Sequence, residues 1–210
     1  MRIPPGRIEA LRWFLAEIAI VTAGILIALS VDGIVEARKE RKLVREAISH
    51  LDSEMRENKR DLDKLMPRMA ERRRYLVEAL ALVEVLIDRR ERGVPYEGRA
   101  TQGVVTFGMD LPATAFKTAE TTGALGHMSY EQVSRYSQTY GVQQEFMRLY
   151  ARMQDHYAAI AVLSRITLVS LSMPELQTWR QNLAVALSHL DAFESMGKVL
   201  ARGYASGLGG

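Results

Sequence analysis

No cysteine occurs in the 210 residues, which removes disulfides, thiolate metal ligands and cysteine nucleophiles together. An excess of one charge is lacking too: 28 basic and 25 acidic residues leave a net +3, and the two signs interleave along the chain. That pattern argues against a track for nucleic acid and for a solvated helical surface or contact with anionic lipid headgroups. Motifs for chemistry are missing as well. His50, His127, His156 and His189 stand singly, none at zinc-helix spacing, and there is no G-x-S-x-G elbow or Walker loop. The expectation is a non-enzymatic chain with no catalytic residue, metal or cofactor. Were there a site, His127 near Lys117, Glu120 and Tyr130 is where it is expected; a loop histidine satisfied by its surroundings is the simpler reading.

What is present is one long apolar run. Residues 11–35 reach Ile18-Ala-Ile-Val-Thr-Ala-Gly-Ile-Leu-Ile-Ala-Leu29, and Glu36-Ala-Arg-Lys-Glu-Arg-Lys42 follows at once. About 20 apolar residues at about 1.5 Å each cross a hydrocarbon core, so 11–35 is predicted to be a transmembrane helix behind a basic tail, 1–10. A cleaved signal, cut near Ala28-Leu29-Ser30, is the rival reading. Leu11, Trp13, Phe14 and Leu15 upstream and Ile34 and Val35 downstream lengthen the apolar surface beyond what a signal needs. Glu17 and Asp32 sit towards its ends, where a carboxylate reaches headgroups or water. A short basic tail followed by an apolar run keeps its N-terminus inside, which places the larger domain in the periplasm. Arg38, Lys39, Arg41, Lys42 and Arg45 argue the other way. Gly24-x-x-x-Ala28 puts two small residues on one face, where two spans can pack closely.

With 48% apolar and 25% charged residues, the remainder suits a single globular domain, predicted as a helical bundle over 36–202. The fold class is all-α: the span, then three long helices and one short one. Val44, Ile48, Leu51, Met55, Asn58, Leu62, Leu65 and Met69 recur at four- and three-residue steps, a heptad seam that continues through Arg72, Leu76, Ala79, Val83 and Leu86. Asn58 on that seam is a candidate register residue for a coiled coil, or it faces solvent in an ordinary bundle. Arg72-Arg73-Arg74 reads as a solvated face more readily than as a phosphate site, since adjacent helical residues diverge. Pro67 predicts a kink or short break rather than a reversal. An irregular connector, 93–111, is expected next, with a short strand at Val104 to Phe107. A short helix from Leu111 to Glu120 has Pro112 in its first turn and Gly123 or Gly126 as its stop. Ser129 and Gln132 form a capping-box pattern for a helix to about Ser172, whose aromatic face from Tyr136 to Leu163 reads as core. Ala158 to Leu171 is a core segment rather than a second span, because Arg165 interrupts it. Met173-Pro174-Glu175 opens a last helix to about Arg202, and the glycine-rich 203–210 is expected to be a flexible tail.

Glu17 to Leu29 and Leu51-Asp-Ser-Glu-Met-Arg-Glu-Asn58 together resemble an uncharacterised family of bacterial single-pass membrane proteins, classed only as a domain of unknown function. Its pattern is an E-I-x-x-V-x-x-G-I-L-I-A-L span, then a long helix with an E-x-x-x-N element. Glu54 and Asn58 match that element, and Ala119 to Leu125 with Gly123 is similar to its later small-residue helix. Gly33 and Ile34 depart from it where relatives commonly carry an aromatic. The resemblance covers the first third of the chain well and implies an anchored helical domain in a bacterial inner membrane, with no activity attached. Two functions remain: an interaction or scaffold protein acting through self-association or a membrane partner, and a ligand or stress sensor with a pocket under 93–126. The bilayer is the partner common to both, and nucleic acid belongs to neither.

Overall fold

One helix, α1, runs from Pro5 to Glu91 without a break. At about 1.5 Å per residue it is about 130 Å long, several times the thickness of a bilayer core. The computed structural model describes residues 5–97, 108–164 and 170–208, and among them there is no strand. After α1 come α2 (Thr114–Thr121), the 3-10 turn η1 (Ala124–His127), α3 (Tyr130–Ser164) and α4 (Met173–Gly207). The all-α expectation holds, with the predicted span and first bundle helix fused into one element. The strand expected at Val104 to Phe107 lies outside the described residues.

The N-terminal part of α1 is long and apolar enough to cross a membrane, and none of its most apolar stretch is buried by the rest of the chain. Trp13, Phe14, Ile20, Leu26 and Leu29 all stand exposed. Farther along, every seam position from Leu51 to Leu86 is buried. The same helix therefore carries one apolar stretch left exposed and another buried by the rest of the chain. The seam packs against α3 and α4 of its own chain, as the first helix of the bundle.

Pairs across the bundle fix its topology. Asp52 meets Tyr136, Glu54 meets Tyr140 and Asn58 meets Gln143, so α3 runs parallel to α1. Arg73 bonds Glu194 and a methyl group on Gly207 would strike Met55, so α4 runs antiparallel. A parallel neighbour demands a return. From Glu91 back to the level of Asn58 is about 50 Å along the axis. The 20 residues from 92 to 111 span up to about 66 Å when extended, which accounts for the length of the connector.

Local details follow from chemistry at the ends. Pro67 is exposed on the face opposite the seam, so water reaches the Asp63 carbonyl that loses its donor, and the helix passes through the proline while Leu65 and Met69 stay packed. Pro112 lies outside α2 rather than in its first turn, because its carbonyl is held from α1 and α3. Gly123 takes a left-handed φ of 77° and stops α2. The Ser129–Gln132 capping box forms as expected, with both reciprocal bonds present. Ser172 does not end α3 but caps α4 through a second box with Glu175, whose pKa the bonds from the Ser172 hydroxyl and backbone N–H lower. Between them, 165–169 lie outside the described residues.

The expected flexible tail is a correction. α4 continues to Gly207, with Leu200, Tyr204 and Gly207 buried. A Cβ on Gly207 would strike Met55 Cε and lie 3.2 Å from Thr139 Oγ1, and one on Gly197 would lie 2.7 Å from Met66 Sδ. Both glycines leave room for methionine tips of α1 where α4 packs between α1 and α3.

Candidate functional site

Asn58 is 1% exposed, which settles its setting as interior rather than solvent. Its amide donates to the Pro112 carbonyl at 2.8 Å and to Gln143 Oε1 at 3.2 Å. Gln143 in turn donates to the Leu111 and Pro112 carbonyls at 2.7 and 3.0 Å, and its Oε1 accepts the Tyr204 hydroxyl at 2.8 Å. Four elements meet in one saturated network: α1, the connector, α3 and α4. A shift of either helix by one residue would strand these polar groups away from water.

One turn earlier, Glu54 uses both carboxylate oxygens. Oε1 accepts the Tyr140 hydroxyl at 2.7 Å, and Oε2 accepts the Ala115 backbone N–H at 2.9 Å, inside the first turn of α2. A carboxylate at a helix N-terminus satisfies an orphan donor and faces the positive end of the dipole. Burial, then the Glu54 hydrogen bond and charge, push the Tyr140 phenol far above its ordinary value; burial also raises Tyr204. Phe116 of α2 stacks on Tyr140 at 4.9 Å. The Glu54-x-x-x-Asn58 element is thus a clamp that holds the connector and α2 against α1.

Beside the clamp lies a groove of about 640 Å³ between α1 and α2. Leu43, Ala47, Ala115 and Ala119 line its apolar part, with Glu46, His50, Glu54 and Glu57 along α1 and Thr114, Thr118 and Thr122 along α2. No lysine or arginine is among these lining residues, so the groove suits a ligand that donates hydrogen bonds or carries positive charge.

The remaining sequence candidates separate. Gly24 has nothing within 4 Å of a Cβ built on it, while the side chain of Ala28 lies outside those described. His127 does not gather Lys117, Glu120 and Tyr130; its Nδ1 stands 3.6 Å from Glu40 Oε1 on α1. The arginine triplet divides three ways. Arg72 is buried with its guanidinium 3.8 Å from the Tyr157 ring centre, Arg73 pairs with Asp191 and Glu194, and Arg74 is exposed. Burial lowers Arg72's pKa and lifts Tyr157's to about 12.

His156 and His189, read as single residues from the sequence, meet edge to face with ring centroids 4.6 Å apart between α3 and α4. Burial first, then His156 and Arg152, lower the pKa of His189. The unfolded chain therefore binds this proton before the folded one does. Stability is complete above the unfolded value of about 6.5 and declines as pH falls through the lower folded value. Thermal unfolding at pH 7.5 and 5.5 should show this decline, and His189→Phe should flatten it; an unchanged slope would assign the acid sensitivity elsewhere.

The chain matches no known protein-family profile, no curated protein and no solved structure. Its function is therefore read from its own geometry.

Proposed function

We propose that this chain is a membrane-anchored, non-catalytic interaction protein of a bacterial inner membrane, with its bundle in the periplasm. The observation that carries the reading is α1 itself, exposed and apolar at one end and buried within the bundle at the other. Span and bundle then form one rigid unit, and whatever meets the span is held at a fixed distance from whatever meets the bundle. With the seam occupied internally, association between chains falls to the span. Gly24 with Ala28 supplies its close-packing face, and the other candidate occupant of that face is the span of a membrane partner.

The anchor rests on apolar area rather than ionic contact. We expect the intact chain to stay in the membrane fraction after alkaline carbonate and high salt, and a reporter active only in the periplasm to work when fused after Gly210. Crosslinking in membranes should give a discrete dimer or higher species that Gly24→Leu weakens. Release of a chain beginning near Val31 would overturn the anchor, and a crosslinking pattern that Gly24→Leu leaves unchanged would move the association off this face.

A second reading is supported by the groove between α1 and α2. An occupant there presses on 43–57 of α1, which continues into the span, so a sensor would signal through displacement of that one helix.

A further inference from the structure

Where α1 enters the bundle, a crevice of about 400 Å³ opens between α1 and η1, lined by Ala37, Glu40, Arg41, Val44, Arg45 and His127. We propose that this crevice holds the phosphate group of an anionic membrane lipid, with Arg41 and Arg45 as its cationic wall and His127 on the opposite side. The inference rests on the membrane anchoring proposed above.

Height along α1 is the first support. Val35 is the last residue of the exposed apolar run, and Arg41 and Arg45 lie about 9 and 15 Å beyond it. The polar layer on each side of a bilayer core is about 5–8 Å deep. Side chains on a helix lean towards its N-terminus, which here is towards the membrane. The Arg41 guanidinium is thereby brought back to headgroup level, with Arg45 one turn above it, whichever side of the membrane the bundle occupies.

Availability is the second. The neighbouring cations are engaged, Lys39 with Glu36 at 3.8 Å and Lys42 with Glu46 at 3.7 Å. Among the described residues no carboxylate pairs with Arg41 or Arg45, although both are exposed and share one face at i and i+4. Glu40 is the one acid of the crevice, and it stands against His127. Guanidinium forks match phosphate oxygens in geometry as well as charge, which a bare point charge does not.

The test uses the full-length chain in nanodiscs of equal parts phosphatidylglycerol and phosphatidylcholine, with native mass spectrometry of the lipids kept on release. About tenfold enrichment of the anionic lipid is expected, falling to near parity in Arg41→Gln/Arg45→Gln. Both positions are exposed, so the variant should keep wild-type helicity and melting. Equal enrichment in both proteins, or none in either, overturns the proposal. Displacement of the lipid by millimolar inorganic phosphate would reassign the crevice to a free anion and overturn the lipid source. A chain that stays out of the nanodiscs overturns the anchoring and this inference together, whereas one that enters without lipid preference overturns this inference alone.

Discussion

Phe193→Ala should lower the melting temperature of the full-length protein by about 10 °C, on a loss of about 3–5 kcal/mol. Phe193 is wholly buried on α4, stacked on Phe146 at 4.4 Å and tilted against Tyr150 at 6.0 Å, both from α3. Truncation removes the transfer free energy of a ring, leaves a void in a layer that the adjacent Gly197 cannot fill, and deletes two aromatic contacts. Circular dichroism melts in mild detergent measure the effect. Phe14→Ala is the control, because Phe14 is 59% exposed in the apolar segment and touches no part of the bundle core. Equal shifts in the two variants would mean that α4 is not packed on α3 as described.

Asn58→Asp should be nearly as damaging, by about 3 kcal/mol or more at pH 8, although it changes one amide to a carboxylate of the same shape. The donor that now reaches the Pro112 carbonyl and Gln143 Oε1 becomes a buried acceptor facing two acceptors. Its pKa must rise in the folded state, so stability should recover as pH falls and the acid regains a proton to donate. Asn58→Leu should cost less, about 1–2 kcal/mol, since Pro112 O keeps Gln143 Nε2 and Gln143 Oε1 keeps the Tyr204 hydroxyl. Hydrogen exchange should show α2 losing protection first in the Asp variant. A loss independent of pH, or equal losses in the two variants, would contradict the network.

Periodicity made most of this architecture legible. The four- and three-step seam of α1, the aromatic face of α3 and the Ser129 cap all occupy the places their spacing implies. What spacing cannot give is the partner, because a heptad seam looks the same whether it faces another chain or its own. Asn58 shows the point: its polarity on an apolar stripe marked it as a register residue, yet its bonds reach to positions 54 and 85 residues away in the chain. The end of α4 was legible in principle. Leu190, Phe193, Gly197, Leu200, Tyr204 and Gly207 keep the three- and four-residue rhythm, but glycine composition reads as a loose tail unless a helix passes close by. The meeting of His156 with His189 and of Glu40 with His127 is tertiary and leaves no local signal.

The apolar N-terminal segment and the bundle form one uninterrupted helix, and the lack of native cysteine makes that continuity directly measurable. Spin labels at Ile27→Cys and Ser53→Cys, both at exposed positions, report across the junction in nanodiscs by pulsed dipolar spectroscopy. A continuous helix places the two backbone positions about 39 Å apart, so one narrow distribution centred near that distance is expected. A broad distribution, or a main peak below about 30 Å, would mean that the chain bends or breaks between span and bundle, and would contradict the account.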